Sequence, residues 1–175
     1  MADVKVLSSE VVFEGRVIKV RRDRLIDPAG NPLTREVVVY PGAVTIVARP
    51  APESVVLVRQ YRHAVGKELL ELPAGGIETG EDPEAAAVRE LEEETGYRAG
   101  RIVERVRFWT TPGFTSELMY LYEADQLVRT AIHPDEDEAI ETEIVHRDEA
   151  FAMIDDGRIQ DAKSIVGLLR VFSKS

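Results

Sequence analysis

Short apolar and β-branched runs open the chain. Val4 and Val6, then Val11, Val12 and Phe13, then Val17, Ile18 and Val20 read as strands. Gly15 marks a turn between them, and Asp27-Pro-Ala-Gly-Asn-Pro32 marks a hairpin loop before Arg35 to Tyr40 resumes a strand. A β appendage of about 40 residues cannot bury enough surface to stand alone. It must pack on the rest of the chain or on a second copy, and a homodimer built through it is expected. Pro41-Gly42 breaks the run. Ala43 to Ala48 (AVTIVA) and Val55 to Val58 (VVLV) are continuously apolar, as in central strands covered on both faces, with Pro50 and Pro52 in the turn between them. Glu68 to Leu72 predicts a further strand, as do Ile102 to Trp109, Leu118 to Tyr122 and Ile140 to Val145. Helices are predicted at Arg147 to Asp156, stopped by Gly157, and at Asp161 to Phe172. The pattern divides the chain into an N-terminal β domain, residues 1–42, and a mixed-sheet α/β domain, residues 43–175.

One helix stands between strands of the second domain. Asp82 is its expected N-cap, Pro83 its first residue, and Gly96 its stop, with Gly75, Gly76 and Gly80 giving a permissive loop before it. Ala87, Val88, Leu91 and Thr95 form the stripe that packs on the sheet. The other face is unusual: Glu90, Glu93 and Glu94 lie three and four apart, and like charges at that spacing destabilise a helix by about 0.2–0.5 kcal/mol per pair. A solvated face would mix signs, and one Arg among four Glu does not. Clustered hard oxygen donors beside a Gly-rich loop suit Mg²⁺ or Mn²⁺ shared with substrate phosphates.

Composition narrows the function classes. The 175 residues include no Cys, so disulfides, thiol nucleophiles and thiolate metal sites are excluded. No apolar run has membrane-spanning length and the N-terminus has no basic-then-apolar pattern, so a cytoplasmic protein without membrane contact is expected. A formal net charge of −10 argues against nucleic acid as a partner. With an anionic substrate, bound cations and local Arg residues must reverse the field at the site.

Gly75, Glu81, Arg89, Glu90, Leu91, Glu93, Glu94 and Gly96, with Tyr97 in the last apolar position, closely resemble the Nudix box without a gap. The resemblance implies an α/β/α sandwich and metal-dependent hydrolysis of a nucleoside diphosphate linked to another group. Pro112 lies about sixteen residues beyond the last box glycine and is followed by Gly113, Phe114 and Glu117. That stretch, with REVVVYPGAV and VRQYR, is similar to the ADP-ribose pyrophosphatase branch, whose N-terminal β domain is exchanged across a homodimer. The resemblance then implies Glu90, Glu94, the Ala74 carbonyl and Glu138 as ligands to two or three Mg²⁺ or Mn²⁺ ions. It implies Glu93 as a further ligand or a support acting through water, Arg89 as an orienting partner of the carboxylates, and Glu136 as the base that activates water. Glu81 either joins the site or only stabilises the helix start. Arg35 and Arg62 are candidates for the diphosphate or ribose, Arg35 acting on the partner's site if the strands are exchanged. Glu117 is a candidate for a ribose or a metal. Phe114, Tyr61 and Trp109 are candidates for stacking on adenine, with core packing the commoner expectation for any one of them. His63 and His133 lack metal-ligand spacing.

The expected reaction is hydrolysis of ADP-ribose to AMP and ribose 5-phosphate. The alternative is another nucleoside diphosphate sugar or a dinucleotide on the same scaffold. A noncatalytic ADP-ribose-binding module is a third reading. It is disfavoured because every box acid is present and no basic helix-turn-helix segment is.

Overall fold

The computed structural model describes residues 4–130 and 140–173. Glu136, Glu138 and His133 lie outside the described residues. The chain divides into two compact units. One comprises Met1–Gly42 with Trp109–Leu118, the other Ala43–Phe108 with Met119–Ser175.

The first unit is an antiparallel sheet in the order β1 (Lys5–Glu14), β2 (Lys19–Ile26), β3 (Pro32–Val39). Its hairpin turns fall where Gly and Pro place them. Gly15 N–H donates to Ile18 O at 2.9 Å, and the Asp27 carboxylate accepts from Ala29 and Asn31 amides. Every residue of β1 is exposed, Val6, Leu7, Val11, Val12 and Phe13 among them. Trp109–Leu118 joins this unit through backbone pairing rather than through any local signal. Val38 N–H donates to Phe114 O at 2.8 Å, and Ser116 N–H to Val38 O at 3.0 Å.

The second unit is a mixed-sheet sandwich. One sheet runs β7 (Ala74–Gly76), β4 (Ala43–Ala48), β9 (Leu118–Arg129), β8 (Tyr97–Trp109), with β4 parallel to β9 and antiparallel to β7. The other runs β10 (Glu141–His146), β5 (Ser54–Arg62), β6 (Lys67–Glu71). Strand alternation sends side chains to two cores. Val44, Ile46, Ala48 and Val56 meet helix α1 (Pro83–Thr95). Val47, Val55, Leu57, Leu72 and Leu121 meet α2 (Arg147–Asp155) and α3 (Ala162–Phe172). The fully buried runs of β4 and β5 are therefore the central strands their composition predicts.

Three expectations change. The loop before α1 is in part a strand: Ala74–Gly76 pairs with β4, Gly75 opposite Val44, so the backbone there is extended and held rather than loose. On α1 it is Ala86, not Val88, that is buried with Ala87, Leu91 and Thr95. Strand β9 extends past Tyr122 to Arg129: its parallel pairing with β4 continues to Ala124, and β8 borders it on the other side. Among the described residues no helix is long and apolar enough to cross a membrane.

Candidate active site

Helix α1 carries the site, and local chemistry sets its ends. The Asp82 carboxylate accepts from Glu84 N–H at 2.9 Å, Pro83 takes the first helical position, and Gly96 closes the helix at φ +66°, a left-handed conformation glycine adopts without strain. Between these ends the helix presents Arg89, Glu90, Glu93 and Glu94 along adjoining rows.

Arg89 is the hub of the cluster. Its Nε and Nη2 donate to the two Glu81 oxygens at 3.0 and 3.1 Å, and its Nη1 donates to Glu90 Oε1 at 2.7 Å and Glu93 Oε2 at 2.9 Å. Nη2 also reaches the Gly76 carbonyl at 3.0 Å. One planar guanidinium thus spaces three carboxylates and pins them to β7, which lessens the repulsion expected along the helix. Glu81 in addition accepts from Glu78 N–H at 2.9 Å, shaping the turn before the helix. The Arg89 hydrogen bond, with that amide, lowers the Glu81 pKa below the ordinary carboxylate range.

Glu90 and Glu94 converge on the strand that follows Pro73. Glu94, 6% exposed, accepts from Ala74 N–H at 2.9 Å and from the Gln60 amide at 3.5 Å. Glu90 lies directly over Gly75. A Cβ added to that glycine would stand 2.0 Å from the Glu90 carboxyl carbon. Gly75 is therefore needed for close approach, not for turning.

Among the described residues no three His, Asp or Glu side chains are gathered into a metal-binding group. Glu90 and Glu93 hold Arg89, and Glu94 holds the Ala74 amide. The donor chemistry still fits a hard divalent cation: two carboxylates of one helix face meet the same two-residue stretch of backbone, and every donor is oxygen.

The remaining candidates fall in two groups. Arg62, at the end of β5, donates through Nε and Nη2 to the Glu71 carboxylate at 2.9 and 2.7 Å. Arg35, Phe114 and Glu117 belong to the first unit. Arg35 Nη1 donates to Thr34 O at 3.0 Å, Phe114 is 56% exposed, and Glu117 accepts from Thr110 Oγ1 at 2.5 Å. Backbone pairing of Val38 with Phe114 and Ser116 brings the strand of Arg35 beside the segment of Phe114 and Glu117. Tyr61 and Trp109 are exposed rather than core residues. Sequence reasoning missed Glu71, Gln60 and Lys163. The available signal was a carboxylate in a short strand between Leu70 and Leu72, both of which are buried.

The NUDIX domain family model matches residues 39–166. The chain belongs to the Nudix family. A second family model, the nucleoside diphosphate sugar hydrolase N-terminal domain, matches residues 4–38. This Nudix chain is 40% identical to the methanol dehydrogenase activator of Bacillus methanolicus, over 94% of this chain and 90% of the relative. It is 35% identical to the ADP-ribose pyrophosphatase of Bacillus subtilis (strain 168), over 91% and 88% of the two chains. A solved structure titled as an ADP compounds hydrolase superposes with a TM-score of 0.88 over 98% of this chain and 93% of that one; at 24% identity the likeness establishes the fold.

Proposed function

We propose that this chain hydrolyses the diphosphate of ADP-ribose, adding water across the P–O–P bridge to give AMP and ribose 5-phosphate. The observation that carries the reading is the convergence of Glu90 and Glu94 on Ala74 and Gly75, inside a complete Nudix box. Glu90, Glu94 and the Ala74 carbonyl would hold divalent cations, Mg²⁺ or Mn²⁺, with Glu138 completing the set. Such ions, when bound, supply positive charge against the diphosphate and a more acidic attacking water. Arg89 keeps the acids apart and oriented, with Glu93 held on its fork. Arg62 and Arg35 bind the anionic diphosphate or the terminal ribose, Phe114 offers an exposed ring for the base, and Glu117 a carboxylate for a ribose hydroxyl. Glu136 takes the proton of the attacking water; like Glu138, it is assigned from the sequence. The ADP-ribose pyrophosphatase relative at 35% identity supports the choice of substrate.

The first unit serves a homodimer in this reading. A strand exposed along its whole length, with five large apolar side chains in water, needs a cover, and a second copy supplies one. Sedimentation is expected to give a dimer at micromolar concentration, and a stable monomer would remove this part of the reading.

A panel of ADP-ribose, other nucleoside diphosphate sugars and dinucleotides, each assayed with Mg²⁺ and Mn²⁺, tests the substrate. The highest kcat/KM is expected for ADP-ribose. Binding of ADP-ribose without turnover would replace the enzyme by a binding module. The likeness to a methanol dehydrogenase activator supports a second reading, in which the same hydrolytic site serves a dehydrogenase. Acceleration of a methanol dehydrogenase by this chain, lost in Glu90→Gln, would establish it.

A further inference from the structure

Glu71 ends strand β6 with its carboxylate 1% exposed. A carboxylate at that depth persists as an ion only when it is paired and fully hydrogen-bonded. Arg62 supplies a two-point fork to both oxygens, and Lys163 Nζ donates to Oε2 as well. Lys163 in turn binds Asp161 Oδ2 at 2.8 Å. Asp161 caps α3 by accepting from Ser164 N–H at 3.0 Å and Ser164 Oγ–H at 2.6 Å, and Ser164 Oγ accepts the Leu72 amide at 2.7 Å. A closed ring of Glu71, Lys163, Asp161, Ser164 and Leu72 thus ties the end of β6 to the start of α3. Burial works to raise the Glu71 pKa, but the Arg62 hydrogen bond and the Lys163 charge outweigh it, and the carboxyl stays below its ordinary value.

The ring alone would serve a structural purpose. The fork adds something else. Glu71 takes two nitrogens on one edge of the Arg62 guanidinium and so fixes its plane at the partly exposed end of β5. Lys163 is shared between Glu71 and Asp161, so the charges of Glu71, Asp161, Arg62 and Lys163 balance, and the fork sets the direction of the Arg62 guanidinium rather than adding charge. We infer that Glu71 is a positioning residue that acts through Arg62 to set affinity for the substrate diphosphate, with Lys163 holding the Glu71 carboxylate in place. This rests on the proposed role of Arg62 as a diphosphate ligand.

A double-mutant cycle on the full chain tests it, with Glu71→Gln, Arg62→Met and the pair together. The readouts are KM and kcat for ADP-ribose and the dissociation constant of ADP-ribose with a methylene bridge in place of the diphosphate oxygen. Loss of hydrogen bonds to a charged group predicts that Glu71→Gln raises KM and the dissociation constant about tenfold. It leaves kcat within about threefold of the parent, and adds nothing in the Arg62→Met background. An equal fold-change in both backgrounds would make Glu71 a fold residue and overturn the inference, while the effect of Arg62→Met alone would leave the reading of Arg62 standing. No change in KM or affinity in Arg62→Met would remove both. Should Glu71→Gln fail to fold, Lys163→Met, at a side chain 12% exposed, takes its place in the cycle with the same outcomes.

Discussion

Replacing Gly75 by Ala separates the folding of this site from its chemistry. The added Cβ would stand 2.0 Å from the Glu90 carboxyl carbon, whereas ordinary contact begins at 3.4 Å, so one of the two must move by at least about 1.4 Å, the difference of those distances. Gly75 is held by its pairing with Val44, while the Glu90 carboxylate is the far end of a flexible side chain. The carboxylate yields. Leaving its rotamer well costs about 0.5–1.5 kcal/mol. Weakening the 2.7 Å bond from Arg89 adds about as much, since Arg89 keeps Glu81 and Glu93. Ala also restricts the unfolded chain, which returns about 0.4–1 kcal/mol. The net loss of about 1–2 kcal/mol corresponds to a Tm lower by roughly 2–8 °C for a chain of this size. Activity falls much further, because misplacing a reacting or metal-holding group by about 1 Å lowers the rate about a hundredfold. Thermal unfolding without ligand and initial rates on ADP-ribose measure the two effects. A kcat/KM within about threefold of the parent would refute the placement of Glu90 in the site. A Tm lower by well over about 10 °C would show that the strand, not the carboxylate, gives way.

Other perturbations follow from the same contacts. Arg89→Lys replaces a fork shared by three carboxylates and a carbonyl with a point charge, so urea unfolding should show a loss of about 1–3 kcal/mol, with turnover reduced as Glu81, Glu90 and Glu93 drift apart. The Glu71 pKa is depressed from 4.5 in the folded chain, so its contribution to stability is complete above pH 4.5 and is lost as pH falls toward the lowered value. Urea unfolding of Glu71→Gln below that pH should therefore have a shallower acid limb than the parent, and parallel limbs would contradict the pairing with Arg62 and Lys163. Added to metal-stripped protein at about a hundred times its dissociation constant, Mg²⁺ should stabilise the parent by about 2.7 kcal/mol and leave Glu90→Gln/Glu94→Gln unmoved in a thermal shift. If Arg35 serves the partner's site, mixed dimers of Arg35→Ala and Glu90→Gln should recover activity that neither homodimer has; no recovery after subunit exchange would place Arg35 elsewhere.

Helix α1 was legible in the sequence because everything that defines it is local. Asp82 bonds the amide two residues on, Pro83 and Gly96 act through their own backbones, and helical spacing alone puts Glu90, Glu93 and Glu94 on adjoining rows. Arg89 as an orienting group is implied by the family resemblance and not by the spacing alone. The central strands were legible because a run buried on both faces is apolar at nearly every position, Thr45 being the one polar residue of β4. What escaped depends on partners far along the chain. Ala74–Gly76 is a strand only because β4 lies beside it, and the reason for glycine at position 75 is a side chain on the next helix. Ser116 meets Tyr40 across 76 positions, which no local signal in Trp109–Leu118 announces. Lys163 reaches Glu71 across 92.

This difference in range explains why the reaction is easier to read than the substrate. A helix fixes the relative places of side chains three and four apart before any tertiary structure is known, so a cluster of metal-holding acids can be recognised from spacing alone. The groups proposed to bind the rest of the substrate sit on strands and loops, where a side chain's neighbours are set by topology and register. Arg62 shows the consequence. Its type suits a phosphate, yet its orientation is decided by Glu71 on the adjacent strand and, through Lys163, by the first turn of the last helix. Substrate choice in such a scaffold can therefore shift through residues that never touch the ligand, while the Arg89-centred acid cluster, and the reaction with it, stays as it is.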